Sequence, residues 1–298
     1  MASVKKLYLD SRFAEGNGAN FTVELPETVN CGPDCAAYIT DVCFPVAWHT
    51  ININNNRLFM LEKRSADFPV QARVIEIPMK DYTLGSDLVA NVQTALNLNG
   101  PSVAARKTVA GTYAVTFNQA TFALTVTLSG GGTFTILSFN QLRDQYMYIR
   151  WKYYATQSFI APTMDASFAY ERQNPKTANG VLNISLGEGD HHPLGTTMVG
   201  GSIDLRPVHN IYLCSETFSN YNVQGPNGGL RSALRKIAIT EPAKGLQYSE
   251  HSGHGEDYIS CGGMNLKTMK FTLRDSFGNL VTLNGGHMSF SLLFGERP

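Results

Sequence analysis

At 298 residues the chain is long enough for one large β domain or for two domains. Hydrophobic residues make up 43% and charged residues 16%, a balance that excludes a disordered chain. Its 24 basic residues equal its 24 acidic ones, which excludes the basic footprint of a protein whose main task is gripping nucleic acid. Neutrality also lowers self-repulsion, which suits a protein that packs against copies of itself. The 27 glycines, 13 tyrosines and 16 phenylalanines favour turns and aromatic strands over helices. The first ten residues, MASVKKLYLD, lack an apolar signal-peptide region, and no apolar run spans a bilayer. The expectation is a soluble product made inside the cell, without membrane insertion. Asn20-Phe21-Thr22 and Asn183-Ile184-Ser185 then read as chance sequons.

In chain order, Leu7 to Asp10 predicts a short strand, and Phe21, Val23 and Leu25 predict a second that stops at Pro26. Ala36 to Phe44 is more uniformly apolar, as a strand covered on both faces would be, and Pro45 ends it. Asn52 to Asn56 is a polar turn, and strands at Leu58 to Glu62 and Arg73 to Ile77 close the block. A helix follows, capped by Ser86 or Asp87, with Leu88, Val89, Val92, Ala95 and Leu96 on its apolar face. Three strands begin near Tyr113, Phe122 and Phe134 and read as a small meander, the last two joined by Gly130-Gly131-Gly132. Tyr146 to Tyr154 alternates as a strand, with Trp151 and Tyr153 on the same face as Met147 and Ile149, which favours core packing over base stacking. Val181 to Leu186 is the strand expected in the polar stretch beyond it.

Strands resume with Ile211, Leu213 and Ser215 and with Leu234 to Ile239, and Leu246 to Gly263 reads as a long polar loop. Met269, Phe271 and Leu273 then alternate with Lys270, Thr272 and Arg274. Asp275 to Asn279 turns, Leu280 to Leu283 returns, and Met288, Phe290, Leu292 and Phe294 line a last strand. This closing meander can bury its face only by docking on another sheet. A β block, an insert and a second β block predict a mainly β protein. The architecture is a single jelly-roll sandwich of residues 1–80 and 201–298, with a small α+β domain inserted at 81–200.

Few residues suggest chemistry. Cys31-Gly32-Pro33-Asp34-Cys35 has one residue too many for a redox CxxC motif and reads as a loop with free thiols, or at most a local disulfide. Cys43, Cys214 and Cys261 read as small buried or loop residues. His251, His254 and Glu256 are the only metal candidates, in a Gly-rich loop rather than on a strand that would fix ligand geometry. His191-His192 is loop-like as well. No nucleophile elbow, phosphate loop or dinucleotide fingerprint occurs, so no catalytic residue and no cofactor is expected.

Seven ordered pieces carry a resemblance: LYLDSR (Leu7 to Arg12), FTVELP (Phe21 to Pro26), FPVAWHTININNN (Phe44 to Asn56), IPMKDYTLGSDLVANVQTALN (Ile77 to Asn97), HNIYLCSETFSN (His209 to Asn220), LRKIAI (Leu234 to Ile239) and FTLRDSFGNLVTLNGGHMSFSLLF (Phe271 to Phe294). In this order the chain resembles the penton, or minor capsid, proteins of the Polinton, adintovirus and virophage group, and more distantly the penton base of adenoviruses. The resemblance implies a jelly roll that forms homopentamers at the fivefold vertices of an icosahedral virion. A separate double-jelly-roll major capsid protein would build the faces, and the insert would project as an outer tower. No Arg-Gly-Asp tripeptide occurs, so a host-receptor role has no support in the sequence. Tyr221 and Tyr248, in the long loops, are the candidate interface anchors. The rival readings are a trimeric receptor-binding or ligand-type jelly roll and a cupin-like metalloenzyme using His251, His254 and Glu256.

Overall fold

The computed structural model describes residues 5–67, 70–98, 107–138, 177–184, 194–218, 222–223, 230–231, 233–250 and 258–296. In chain order the first strands are β1 (Lys5–Asp10), β2 (Glu15–Asn17), β3 (Asn20–Asn30), β4 (Cys35–Pro45), β5 (Arg57–Lys63), β6 (Gln71–Glu76), β7 (Thr112–Asn118), β8 (Ala123–Ser129) and β9 (Thr133–Ile136). They continue as β10 (Thr197–Ser202), β11 (Asn210–Ser215), β12 (Asn222–Val223), β13 (Leu230–Arg231), β14 (Ala233–Ala238), β15 (Leu246–Glu250), β16 (Ile259–Ser260), β17 (Asn265–Asp275) and β18 (Ser289–Glu296). Among the described residues the α-helices are α1 (Gly85–Asn97) and α2 (Asn179–Leu182). Two compact units result, Met1–Trp48 with Val208–Pro298, and His49–Pro207.

The first unit contains two antiparallel sheets. One has the order β1-β18-β4-β15, with β16 also on β4, and the other β14-β11-β17-β3-β2. Along the chain β1, β3, β4 and β11 alternate between the sheets. After the β11–β14 pair, β15, β17 and β18 alternate again. Two five-stranded sheets threaded in this way are a jelly roll, which is the fold the alternation predicts. Their inner faces meet in an apolar core. Phe21 and Phe271 come from one sheet and Phe290 from the other, with ring centroids 4.8 Å apart for Phe271–Phe290 and 6.4 Å for Phe21–Phe290.

The closing segment therefore differs from the expected meander. β17 and β18 lie in different sheets and face each other across the core, while Leu280 makes only an isolated bridge to Arg274. The turn itself forms as expected: Asp275 Oδ1 accepts from the backbone of Phe277 and Asn279 at 2.9 Å each, and Gly278 takes φ 84°.

Three other elements depart from the sequence reading. β3 continues past Pro26 to Asn30, because four residues of β3 bulge opposite Lys267, whose Nζ donates to the freed carbonyls of Leu25 and Pro26. β4 is buried on both faces, as its apolar run implies, only from Ala36 to Ile39, and a bulge at Thr40 follows. The inward phase passes from Ala37 and Ile39 to Val42 and Phe44, and Asp41 and Cys43 stay half-buried on the other face. The stretch read as a polar loop from Leu246 contains β15 and β16, both paired with β4. Its hydropathy is inverted: Leu246 is 62% exposed, while Gln247 is buried with Oε1 accepting from Thr240 and Glu241 backbone amides.

The second unit holds the sheets β10-β8-β7 and β6-β5-β9, with α1. β5 and β6 belong here rather than to the N-terminal block, because β5 pairs with β9 and their apolar residues join those of α1 in one core. α1 buries the five expected apolar residues but starts earlier, at Gly85, with Leu84 at the cap and no capping side chain. Asp87 instead sits in the first turn, where a carboxylate suits the helix dipole, and pairs with Lys80 at 3.2 Å. Gly85 is needed there, since a Cβ would run into the Phe117 ring. β7 and β8 form the expected hairpin, but Gly130, Gly131 and Gly132, at φ 86°, 98° and 96°, carry the chain out of that sheet to place β9 beside β5. In place of the strand expected from Val181, α2 forms and ends at Asn183 in the left-handed region. The expected strand at Tyr146 to Tyr154 lies outside the described residues.

Candidate assembly interface

Register fixes which side chains face away from the jelly-roll core. Tyr8 stands opposite Ser291, and Ser291 opposite Asp41, which stands opposite Glu250. This row alternates with the inward row of Leu9, Phe290 and Val42. The outer face thus carries Tyr8, 77% exposed, on edge strand β1 and Tyr248, 55% exposed, on edge strand β15. Lys6 lies 5.0 Å from the Tyr8 ring and 3.8 Å from Asp41. Just beyond β1, Asp10 binds Arg12 at 2.6 Å, and the hydrogen bonds from that guanidinium hold the Asp10 carboxyl below its ordinary range. Phe13, next in the chain, is 87% exposed. Two edge strands and exposed aromatics flanked by charge form a surface suited to contact with another protein.

Of the residues singled out from sequence, Tyr248 is on this face; Tyr221, His251, His254, Glu256 and His191-His192 lie outside the described residues. Sequence reading missed Tyr8 because its strand alternates ordinarily; the signal available was that its phase is opposite to Leu7 and Leu9, which pack on the core.

A cavity of about 480 Å³ lies between residues 16–20 and 280–287 of the jelly roll. Gly18 touches the Gly286 carbonyl so closely that no side chain fits there, and His287 is the one ionisable group in the lining. That lining offers no acid–base pair for catalysis.

The second unit buries a charged pair. Glu62 and Arg73, 0% and 1% exposed at the side chain, meet at 2.9 Å. Glu62 also accepts from the Tyr113 hydroxyl at 2.8 Å and from Thr108 N and Oγ1. Arg73 donates onward to the carbonyls of Leu96 and Leu98 at the C-terminal end of α1. Burial, reinforced by Glu62, pushes the Tyr113 phenol far up. Arg73 thus ties the end of α1 to the sheet while Glu62 holds Tyr113 and Thr108, so the network is a structural pin.

Cys261, which sequence reading set apart from the Cys31–Cys35 loop, converges with it, and all three sulfurs lie within 4.8 Å of one another.

The first unit is a jelly-roll protein domain by topology, and the chain is mainly β. No family model and no curated protein matches the sequence. Among solved structures the chain is similar to the mavirus penton protein, with 11% sequence identity, a TM-score of 0.43, and coverage of 99% of this chain and 100% of that one.

Proposed function

We propose that this protein is a structural subunit of a viral capsid, a penton that forms homopentamers at the fivefold vertices of an icosahedral shell built from a double-jelly-roll major capsid protein. The observation that carries this reading is a coincidence of topology and sequence. Five of the seven pieces that resemble pentons fall in order on jelly-roll strands: LYLDSR on β1, FTVELP on β3, HNIYLCSETFSN on β11, LRKIAI on β14, and the last piece from β17 through β18. The second unit interrupts the jelly roll between β4 and β11, the position at which an outer tower would be inserted.

Its function is then geometry and interface energy. A ring of five needs a heterologous contact that closes after five steps, and a specific contact buries at least about 1,000 Å² in total. The outer face with Tyr8 and Tyr248 supplies aromatic anchors, and Lys6, Asp41 and Glu250 supply charges that set orientation. Tyr221 is a further anchor in this reading. Mass photometry of the purified chain tests it: a species of five times the 32.7 kDa chain is expected. A stable trimer with no larger ring would overturn the penton reading in favour of a receptor-binding jelly roll.

A further inference from the structure

Three of the five cysteines in the chain meet at one point, although Cys261 is 226 residues from Cys35 in sequence. Two tight turns bring them together. In the first, Cys35 N donates to Gly32 O at 3.1 Å; in the second, Met264 N donates to Cys261 O at 3.1 Å. The turns are laced to each other by Cys31 N to Met264 O (2.9 Å), Cys261 N to Cys35 O (3.1 Å) and Gly263 N to Cys31 O (3.2 Å). Gly262 lies hard against the Pro33 carbonyl, where a side chain would not fit. The backbone therefore holds the three sulfurs in place without any disulfide between them.

From this geometry we propose that Cys31, Cys35 and Cys261 form a binding site for one thiophilic divalent cation of the zinc class, with water in the fourth position. Zinc–thiolate bonds of about 2.3 Å in a tetrahedron separate the sulfurs by about 3.8 Å. The trio lies close to that value, with Cys35 and Cys261 at 3.4 Å and every pair within 4.8 Å. An all-sulfur donor set selects zinc over magnesium or calcium, which need oxygen ligands. A disulfide would use two of these thiols and strand the third, whereas a metal uses all three.

Burial and the neighbouring thiols push Cys31 and Cys261 up; each thiol that binds metal loses its proton to solvent. Three thiolates and one divalent cation leave one negative charge, and the Lys5 ammonium acts on Cys31 in the direction that favours its thiolate.

The site has a mechanical consequence. The Cys31–Cys35 turn joins β3 to β4, and the Cys261 turn joins β16 to β17, so both turns are crossings between the two sheets of the sandwich. One ion would rivet the two crossings together.

The test uses the full chain purified under a non-thiol reductant. Metal analysis after zinc loading and gel filtration is expected to find one zinc per chain, and cobalt added to the metal-free protein should give the intense near-ultraviolet absorption of thiolate–cobalt charge transfer. C261S should weaken zinc binding more than about 100-fold, beyond the loss typical of a group that only supports a ligand. C43S should bind as the parent does. The cobalt spectrum of the unaltered chain decides the matter even if C261S fails to fold. Absence of both zinc and the cobalt band, copper in place of zinc, or a Cys35–Cys261 disulfide that forms in preference to metal binding would each overturn the proposal.

Discussion

The two units differ in what fills their centres. The jelly roll is closed by hydrocarbon: Phe21, Phe271 and Phe290 stack across the gap between sheets, with Met269, Leu273, Leu292 and Phe294 around them. The inserted unit has an apolar core of similar make-up but adds the fully buried Glu62–Arg73 pair, held by Tyr113, Thr108 and the end of α1. A nonpolar core tolerates many arrangements of similar volume, whereas a buried ion pair accepts one, since either charge left alone is heavily penalised. The sandwich is thus specified by pattern and the insert by particular partners.

The largest effect should come from placing a charge in the nonpolar core. F290D buries a carboxylate with no partner, and loss of soluble, cooperatively melting protein is expected by circular dichroism. Retention of native structure would mean that Phe290 does not face the core. Next, R73A should cost about 3–5 kcal/mol in urea denaturation by stranding Glu62, while the double variant E62L/R73M should cost less than R73A alone. Equal costs would show that the insert is no more dependent on its pair than the sandwich is on any one side chain. Q247A, on the edge strand with inverted hydropathy, should cost about 1–3 kcal/mol by leaving the Thr240 and Glu241 amides without their acceptor.

Asp275 gives a smaller, pH-dependent effect. Burial raises its pKa above the ordinary 3.8, against the opposing hydrogen bonds of the turn. A folded pKa above the unfolded one means that this group's contribution is fully present below the unfolded value and is lost as pH rises through the folded value. D275N keeps an acceptor for the Phe277 and Asn279 amides, so it should abolish that decline in denaturation midpoints and leave stability otherwise close to the parent. A slope unchanged by D275N would place the titration elsewhere. Y8A and Y248A should change stability by no more than about 0.5 kcal/mol, as exposed residues do, and yet reduce the proportion of assembled rings on mass photometry.

This contrast explains what could be read in advance. Strict alternation made β1, β11, β17 and β18 legible, and one helical period located the buried face of α1. Where a polar side chain turns inward, the pattern misleads. Gln247 hid β15 in an apparent loop, because the residues around it that look apolar point to solvent. Glu62 and Arg73 carried a usable sign, since Glu62 continues the inward phase of Leu58 and Met60, and Arg73 that of Ile75 and Ile77. The topology of the last two strands was not legible, because a turn after β17 can return the chain to its own sheet or send it across the core with the same hydropathy. Convergence of Cys31, Cys35 and Cys261 was equally hidden, depending on how β4 gathers β16 from the far end of the chain. Of the two exposed tyrosines on the outer face, Tyr248 was singled out among polar neighbours and Tyr8 was not.

On the proposed function, the jelly roll builds the assembly through its outer face. A cryo-electron microscopy reconstruction of the ring formed by the full chain tests this most directly. Fivefold symmetry is expected, with Tyr8 and Tyr248 buried between neighbouring jelly rolls and no contact between neighbours through residues 49–207. A ring of other symmetry, or a fivefold ring joined through residues 49–207 with both tyrosines facing solvent, would contradict it.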